Sequence, residues 1–92
     1  SMEMTFRYNP ENVCSREMII THDGERILKV VTVGGCSGNT QGVNKLVVGK
    51  TFDEVIAALS GIKCPGSRTR QTSCPDQLAS AMVALKASLA KK

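Results

Sequence analysis

The residues best suited to chemistry in this 92-residue chain are its four cysteines, Cys14, Cys36, Cys64 and Cys74. A thiolate can ligate a soft metal ion, exchange with a disulfide or act as a nucleophile. Their spacing, with 21, 27 and 9 residues between successive cysteines, contains no C-x-x-C knuckle, so spacing alone selects no zinc motif. Three readings are open at this point. A disulfide framework needs an oxidising compartment. Four inert thiols are reasonable because free cysteine packs as a small hydrophobe. The third reading is a metal or redox site.

Local context favours the third. In Gly34-Gly35-Cys36-Ser37-Gly38-Asn39, three glycines around one cysteine let the backbone bend tightly and approach another group closely. In Ser73-Cys74-Pro75-Asp76, Ser73 is a good N-cap, Pro75 fits a first helical turn and Asp76 suits the positive helix end. Cys74 thus sits at a predicted helix start, and Cys36 just before another. The unpaired N–H groups and the macrodipole there stabilise a thiolate. Cys14-Ser15 and Cys64-Pro65 fall in loops beside predicted elements. Cysteines at element ends, rather than inside a strand or on a helical apolar stripe, suit a site better than inert packing. Asp76 is the one carboxylate beside a cysteine; its helix-start role accounts for it, with a ligand or base role as the alternative. His22, the single histidine, reads as an exposed polar turn residue, with metal ligation as its alternative. No Ser-His-Asp or Cys-His arrangement, Walker loop or dinucleotide fingerprint is present.

The elements that must position these residues follow from periodicity and turn chemistry. Met4 to Tyr8 is a short strand ended by Asn9-Pro10. Glu17 to Thr21 and Arg26 to Val33 are strands joined at Asp23-Gly24, a hairpin signal because both residues tolerate positive φ. Val43, Leu46 and Val47 at i, i+3, i+4 before Gly49 suggest a short helix, against a strand at Lys45 to Val48. Thr51 to Ser60 is a helix: Thr51 and Glu54 form a capping box, Phe52, Val55, Ile56 and Leu59 share a face, and Gly61 ends it in a left-handed conformation. Lys63 to Thr72 is a polar loop. The last helix runs from Ser73 or Cys74 to about Leu89, with Leu78, Met82, Leu85 and Leu89 as a core stripe. The fold class is therefore α+β. A three-stranded antiparallel sheet is followed by helices at 51–60 and 74–89 packed on one face, since one sheet face and two apolar stripes bury each other in two layers.

Length and composition set the remaining bounds. Ninety-two residues make one domain, and Ser1 ahead of Met2 reads as a remnant of tag removal. No apolar run approaches a membrane span and the N-terminus lacks the apolar stretch of a signal peptide, so a soluble, cytoplasmic protein is expected. The net charge of +4 is scattered apart from Lys63, Arg68, Arg70 and the Lys91-Lys92 tail. With Phe6, Tyr8 and Phe52 as the sole aromatics, a base-stacking surface for nucleic acid is disfavoured.

The run Thr72-Ser73-Cys74-Pro75-Asp76 resembles the signature of the TSCPD-domain family, named for those five residues. The resemblance extends through Gly34 to Asn39, Gly61-Ile62-Lys63-Cys64 and Asn12-Val13-Cys14-Ser15, from Tyr8 to about Leu85. Such domains occur as the C-terminal module of adenosylcobalamin-dependent ribonucleotide reductases and as small stand-alone proteins. The resemblance implies an association with ribonucleotide reductase and deoxyribonucleotide synthesis. It does not imply that 92 residues catalyse the reaction, since the large barrel for substrate and radical chemistry is not in this chain. A weaker resemblance is to iron–sulfur scaffold proteins of the IscU and NifU type, whose three cysteines correspond in order to Cys14, Cys36 and Cys74. Arg16 and Ser73 stand where that family carries an acid and a histidine, and Cys64 is extra.

These readings converge on an expectation. Cys36 and Cys74 lie close together with Cys14 nearby, and Cys64 can join them as metal ligands. Thiolates favour zinc or an iron–sulfur cluster over hard cations. The expected function is a cysteine-ligated, zinc-binding or iron–sulfur accessory domain of a ribonucleotide reductase and not a stand-alone enzyme. The alternatives are a thiol redox protein passing electrons to that reductase, or an ion-free regulatory module.

Overall fold

A computed structural model describes residues 3–13, 15–34, 37–63 and 72–91. Strands β1 (Met4–Tyr8), β2 (Ser15–His22) and β3 (Ile27–Gly34) form an antiparallel sheet in the order β1-β2-β3. Helices α1 (Ser37–Leu46), α2 (Phe52–Leu59) and α3 (Cys74–Ala90) follow. The α+β class and the three-stranded antiparallel sheet are as the sequence predicts.

Strand pleating puts alternate residues on opposite faces. Register aligns Phe6 with Ile20 and Ile20 with Val30, and on the same face Tyr8 with Met18 and Met18 with Thr32. Met18, Ile20, Ile27 and Val30 are buried there against Phe52 and Val55 of α2 and Leu78, Ala81, Met82 and Leu85 of α3. The predicted apolar stripes of α2 and α3 are thus the core.

The β2–β3 connection follows the Asp-Gly signal by a different device. Gly24 takes φ +94°, whereas Asp23 does not adopt positive φ. Instead the Asp23 carboxylate accepts hydrogen bonds from Glu25 N (2.9 Å) and Arg26 N (2.7 Å), an Asx-type turn. A bulge between Thr21 and His22 sets them opposite Lys29 and Ile27.

His22 corrects the sequence reading. It closes β2 facing inward and is 2% exposed. Its Nδ1 accepts from Gly24 N at 3.0 Å, and its ring meets Phe52 edge-on at 5.6 Å. The turn lies in sequence just beyond it, but the pleat assigns it to the core.

At α1 the helix reading holds against the strand alternative. Val43 and Val47, four residues apart, pack inward, whereas Leu46 is 77% exposed. After the helix, Gly49 (φ +86°) donates to Ile27 O at 2.8 Å and Lys50 O accepts from Ile27 N at 3.0 Å. The chain thereby grips the start of β3 before entering α2. The capping box of α2 forms as predicted: Glu54 N donates to Thr51 Oγ1 (3.1 Å) and Thr51 N to Glu54 Oε1 (2.8 Å). Gly61, at φ +85°, follows the cap. Across the helix pair, Lys86 on α3 is paired with Asp53 on α2. No helix among the described residues is long and apolar enough to cross a membrane.

Candidate functional site

Helix α3 begins where its sequence allows. Ser73 is extended and its Oγ accepts from Asp76 N at 3.1 Å, while Pro75 occupies the first turn, where no intrahelical N–H is required. Ser73 also donates from Oγ to Ile62 O at 2.6 Å. One hydroxyl thus caps α3 and ties it to the segment leaving α2.

Cys74 is the first residue of α3; it is partly buried and its thiol is free. Its Sγ shares a hydrogen bond of 3.1 Å with Oγ of Ser15, the first residue of β2, itself 4% exposed. Ser15 stands opposite Gly34, the last residue of β3, with a register shift before Glu17. The start of β2, the end of β3 and the start of α3 therefore meet at one end of the sheet. On its inner side Cys74 borders a water-sized cavity of about 10 Å³, lined also by Thr32, Thr40 and Asn44. There Asn44 Nδ2 donates to Thr32 Oγ1 at 2.9 Å.

A second set of contacts surrounds this junction. The Asp76 carboxylate accepts from Gly61 N at 2.7 Å and from the Thr72 hydroxyl at 2.5 Å. Thr72 Oγ1 accepts from Gln77 Nε2 at 3.1 Å, and Gln77 Oε1 accepts from Glu11 N at 2.9 Å. Thr72, Ser73 and Gln77 are all buried. Tyr8 lies nearby. Burial raises its phenol above the usual range and the Glu11 carboxylate adds to this, opposed by a hydrogen bond with Ser80.

Each residue of Thr72-Ser73-Cys74-Pro75-Asp76 has a distinct task. Thr72 relays a hydrogen bond, Ser73 caps and tethers, Cys74 presents a thiol, Pro75 shapes the turn, and Asp76 directs both oxygens outside its own helix. A TSCPD domain family model matches residues 2–86. The chain belongs to the TSCPD domain family. That membership fits a module related to ribonucleotide reductase. Comparison with curated proteins and with solved structures gave no match, and the resemblance to iron–sulfur scaffold proteins finds no support in these comparisons.

Of the predicted ligands, Cys74 is described; Cys14, Cys36 and Cys64 lie outside the described residues, as does most of the Lys63 to Thr72 loop. Among the described residues no group of three or more His, Cys, Asp and Glu gathers as a metal site. His22 is taken up by the core. Sequence reasoning missed Ser15 and Gln77. Gln77 did carry a signal, being a polar residue one helical turn from Ser73 on the side of α3 that continues into Ala81, which is fully buried.

Proposed function

We propose that this TSCPD domain is a cysteine-ligated metal-binding accessory module of a ribonucleotide reductase, in which Cys14, Cys36, Cys64 and Cys74 hold one zinc ion. The observation that carries the reading is the Ser15–Cys74 contact at 3.1 Å. Its partners are anchors next to the other cysteines. Ser15 is one residue from Cys14 and pairs with Gly34, two residues before Cys36. Ser73, beside Cys74, bonds Ile62, two residues before Cys64. Ser15, Gly34, Ile62 and Ser73 thus anchor the chain one or two residues from each cysteine, a reach of about 3.8 Å per residue.

The donor chemistry agrees. Sulfur ligands suit zinc or an iron–sulfur cluster and do not suit hard cations. Cys14, Cys36, Cys64 and Cys74 would close a zinc ion with four thiolates, which would supply structural cross-linking and leave no open position for catalysis. The residues of this chain supply the frame: Ser73 sets the start of α3, Ser15 contacts the Cys74 sulfur, and the β2–β3 register brings the two strand ends together.

Elemental analysis of protein purified without chelators tests this, with one zinc per chain expected and loss of zinc in Cys74→Ser and Cys36→Ser. Bound iron with sulfide would replace zinc by a cluster. Metal-free protein with four titratable thiols would overturn the reading. A thiol count that rises after reductant would favour electron transfer by these cysteines instead.

A further inference from the structure

The carboxylate of Asp76 does something other than cap its own helix. Capping is done by Ser73, whose Oγ takes the Asp76 N–H. Both carboxylate oxygens reach away from α3, one to Gly61 N and the other to the Thr72 hydroxyl. Thr72 is in turn held by Gln77, and Gln77 by the backbone of Glu11.

The chain of bonds has a direction. Glu11 N–H donates to the Gln77 carbonyl, Gln77 N–H donates to Thr72 Oγ1, and Thr72 O–H donates to Asp76 Oδ2. Gly61 N–H arrives at the other carboxylate oxygen. Donors aligned toward one anion polarise one another, and an ionised acceptor makes the final bonds stronger than neutral ones. Each residue type is specified. Gln77 must accept at one end and donate at the other, and Thr72 must do both through one oxygen.

The two ends of this chain are informative. Glu11 belongs to the connection between β1 and β2, which carries Cys14. Gly61 belongs to the connection between α2 and α3, which carries Cys64. We propose that Gln77, Thr72 and Asp76 form a polarised clasp that holds Glu11 and Gly61, one on each of these cysteine-bearing connections, to the start of α3. The three are positioning residues, and their functional consequence rests on the metal-site reading above.

The test uses the full chain. Thr72→Val keeps the shape and removes the hydroxyl; Thr72→Ser restores it. Amide hydrogen exchange by NMR on metal-free protein should show Glu11 and Gly61 exchanging about tenfold faster in Thr72→Val, the scale of one lost hydrogen bond. Thr72→Ser should return both to the native rate, and Val55 in α2 should be unchanged in either variant. Cobalt(II), followed by its thiolate charge-transfer absorbance, should bind about tenfold more weakly to Thr72→Val. It should bind normally to Thr51→Ala, which weakens the α2 cap and leaves the clasp intact. The clasp is overturned if Glu11 keeps its native exchange rate in Thr72→Val, if Val55 accelerates in step with it, or if Thr72→Ser behaves like Thr72→Val. Cobalt binding without the exchange pattern leaves the metal reading standing and removes the clasp. The exchange pattern without cobalt binding by native protein does the reverse.

Discussion

The Oγ of Ser15 and the Sγ of Cys74 stand 3.1 Å apart, joining the first residue of β2 to the first residue of α3 across 59 positions of sequence. Ser15 is buried, so its hydroxyl has no ready replacement for this partner. Ser15→Ala should cost about 1 kcal/mol of stability in the metal-free protein. In a double-mutant cycle with Cys74→Ala, the coupling should be roughly 0.5–1 kcal/mol. Urea unfolding of the four proteins measures it, and a coupling near zero would reduce the contact to mere proximity.

Burial decides which apolar residues of α3 matter. Leu85 is 1% exposed and Val83 is 55% exposed. Leu85→Ala should cost about 2–5 kcal/mol through lost transfer energy and the cavity left behind. Val83→Ala should stay within about 0.5 kcal/mol. Comparable losses at the two positions, measured by thermal or urea unfolding, would contradict the packing of α3 on the sheet.

Stability should have an acid limb set in part by Asp23 and Glu54. Hydrogen bonds from the Arg26 and then the Glu25 backbone lower the Asp23 carboxyl below its ordinary 3.8. The Thr51 backbone N–H, then the Thr51 side chain, lowers that of Glu54 below 4.5. The unfolded chain therefore takes up these protons first. The contribution is complete above the ordinary values and is lost as pH falls through the depressed folded ones. Tyr8 acts in the opposite direction at high pH. Its raised phenol contributes stability that is complete below 10.0 and is lost as pH rises through the folded value. Asp23→Asn and Glu54→Gln should flatten the acid limb, and Tyr8→Phe the alkaline one, in urea midpoints followed against pH. An unchanged acid limb in the Asp23→Asn, Glu54→Gln double variant would contradict the assignment.

On the accessory-module proposal, ribonucleotide reduction belongs to a partner of this chain. On that reading the cysteines would close one structural metal site and leave no open position for substrate. The purified chain, given a ribonucleotide, adenosylcobalamin and a dithiol, should form no deoxynucleotide. Chromatographic detection of deoxynucleotide above a no-protein control would refute this.

Much of the frame is legible in the order of residues alone. Strand β1, the Thr51–Glu54 capping box, the Ser73 cap and the stripe Leu78, Met82, Leu85 all follow from interactions within one or two turns of chain. Side-chain chemistry at fixed short offsets determines those interactions. The α1 stretch is half legible. Val43 and Val47 pack inward, but Leu46, equally apolar, faces solvent because no element among the described residues covers that side.

The tertiary structure alone decided the fate of His22, Ser15 and Gln77. The pleat register, set by pairing with β1 and β3, turned His22 into the core beside Phe52. Ser15 found Cys74, and Gln77 found Glu11 across 66 positions. The amino-acid sequence by itself determined the α+β elements, the cysteine-rich motifs at their ends and family membership. Which polar groups meet was decided by packing, because a hydrogen bond between distant segments leaves no periodic or local trace. It exists only once a shared core has brought their backbones within reach.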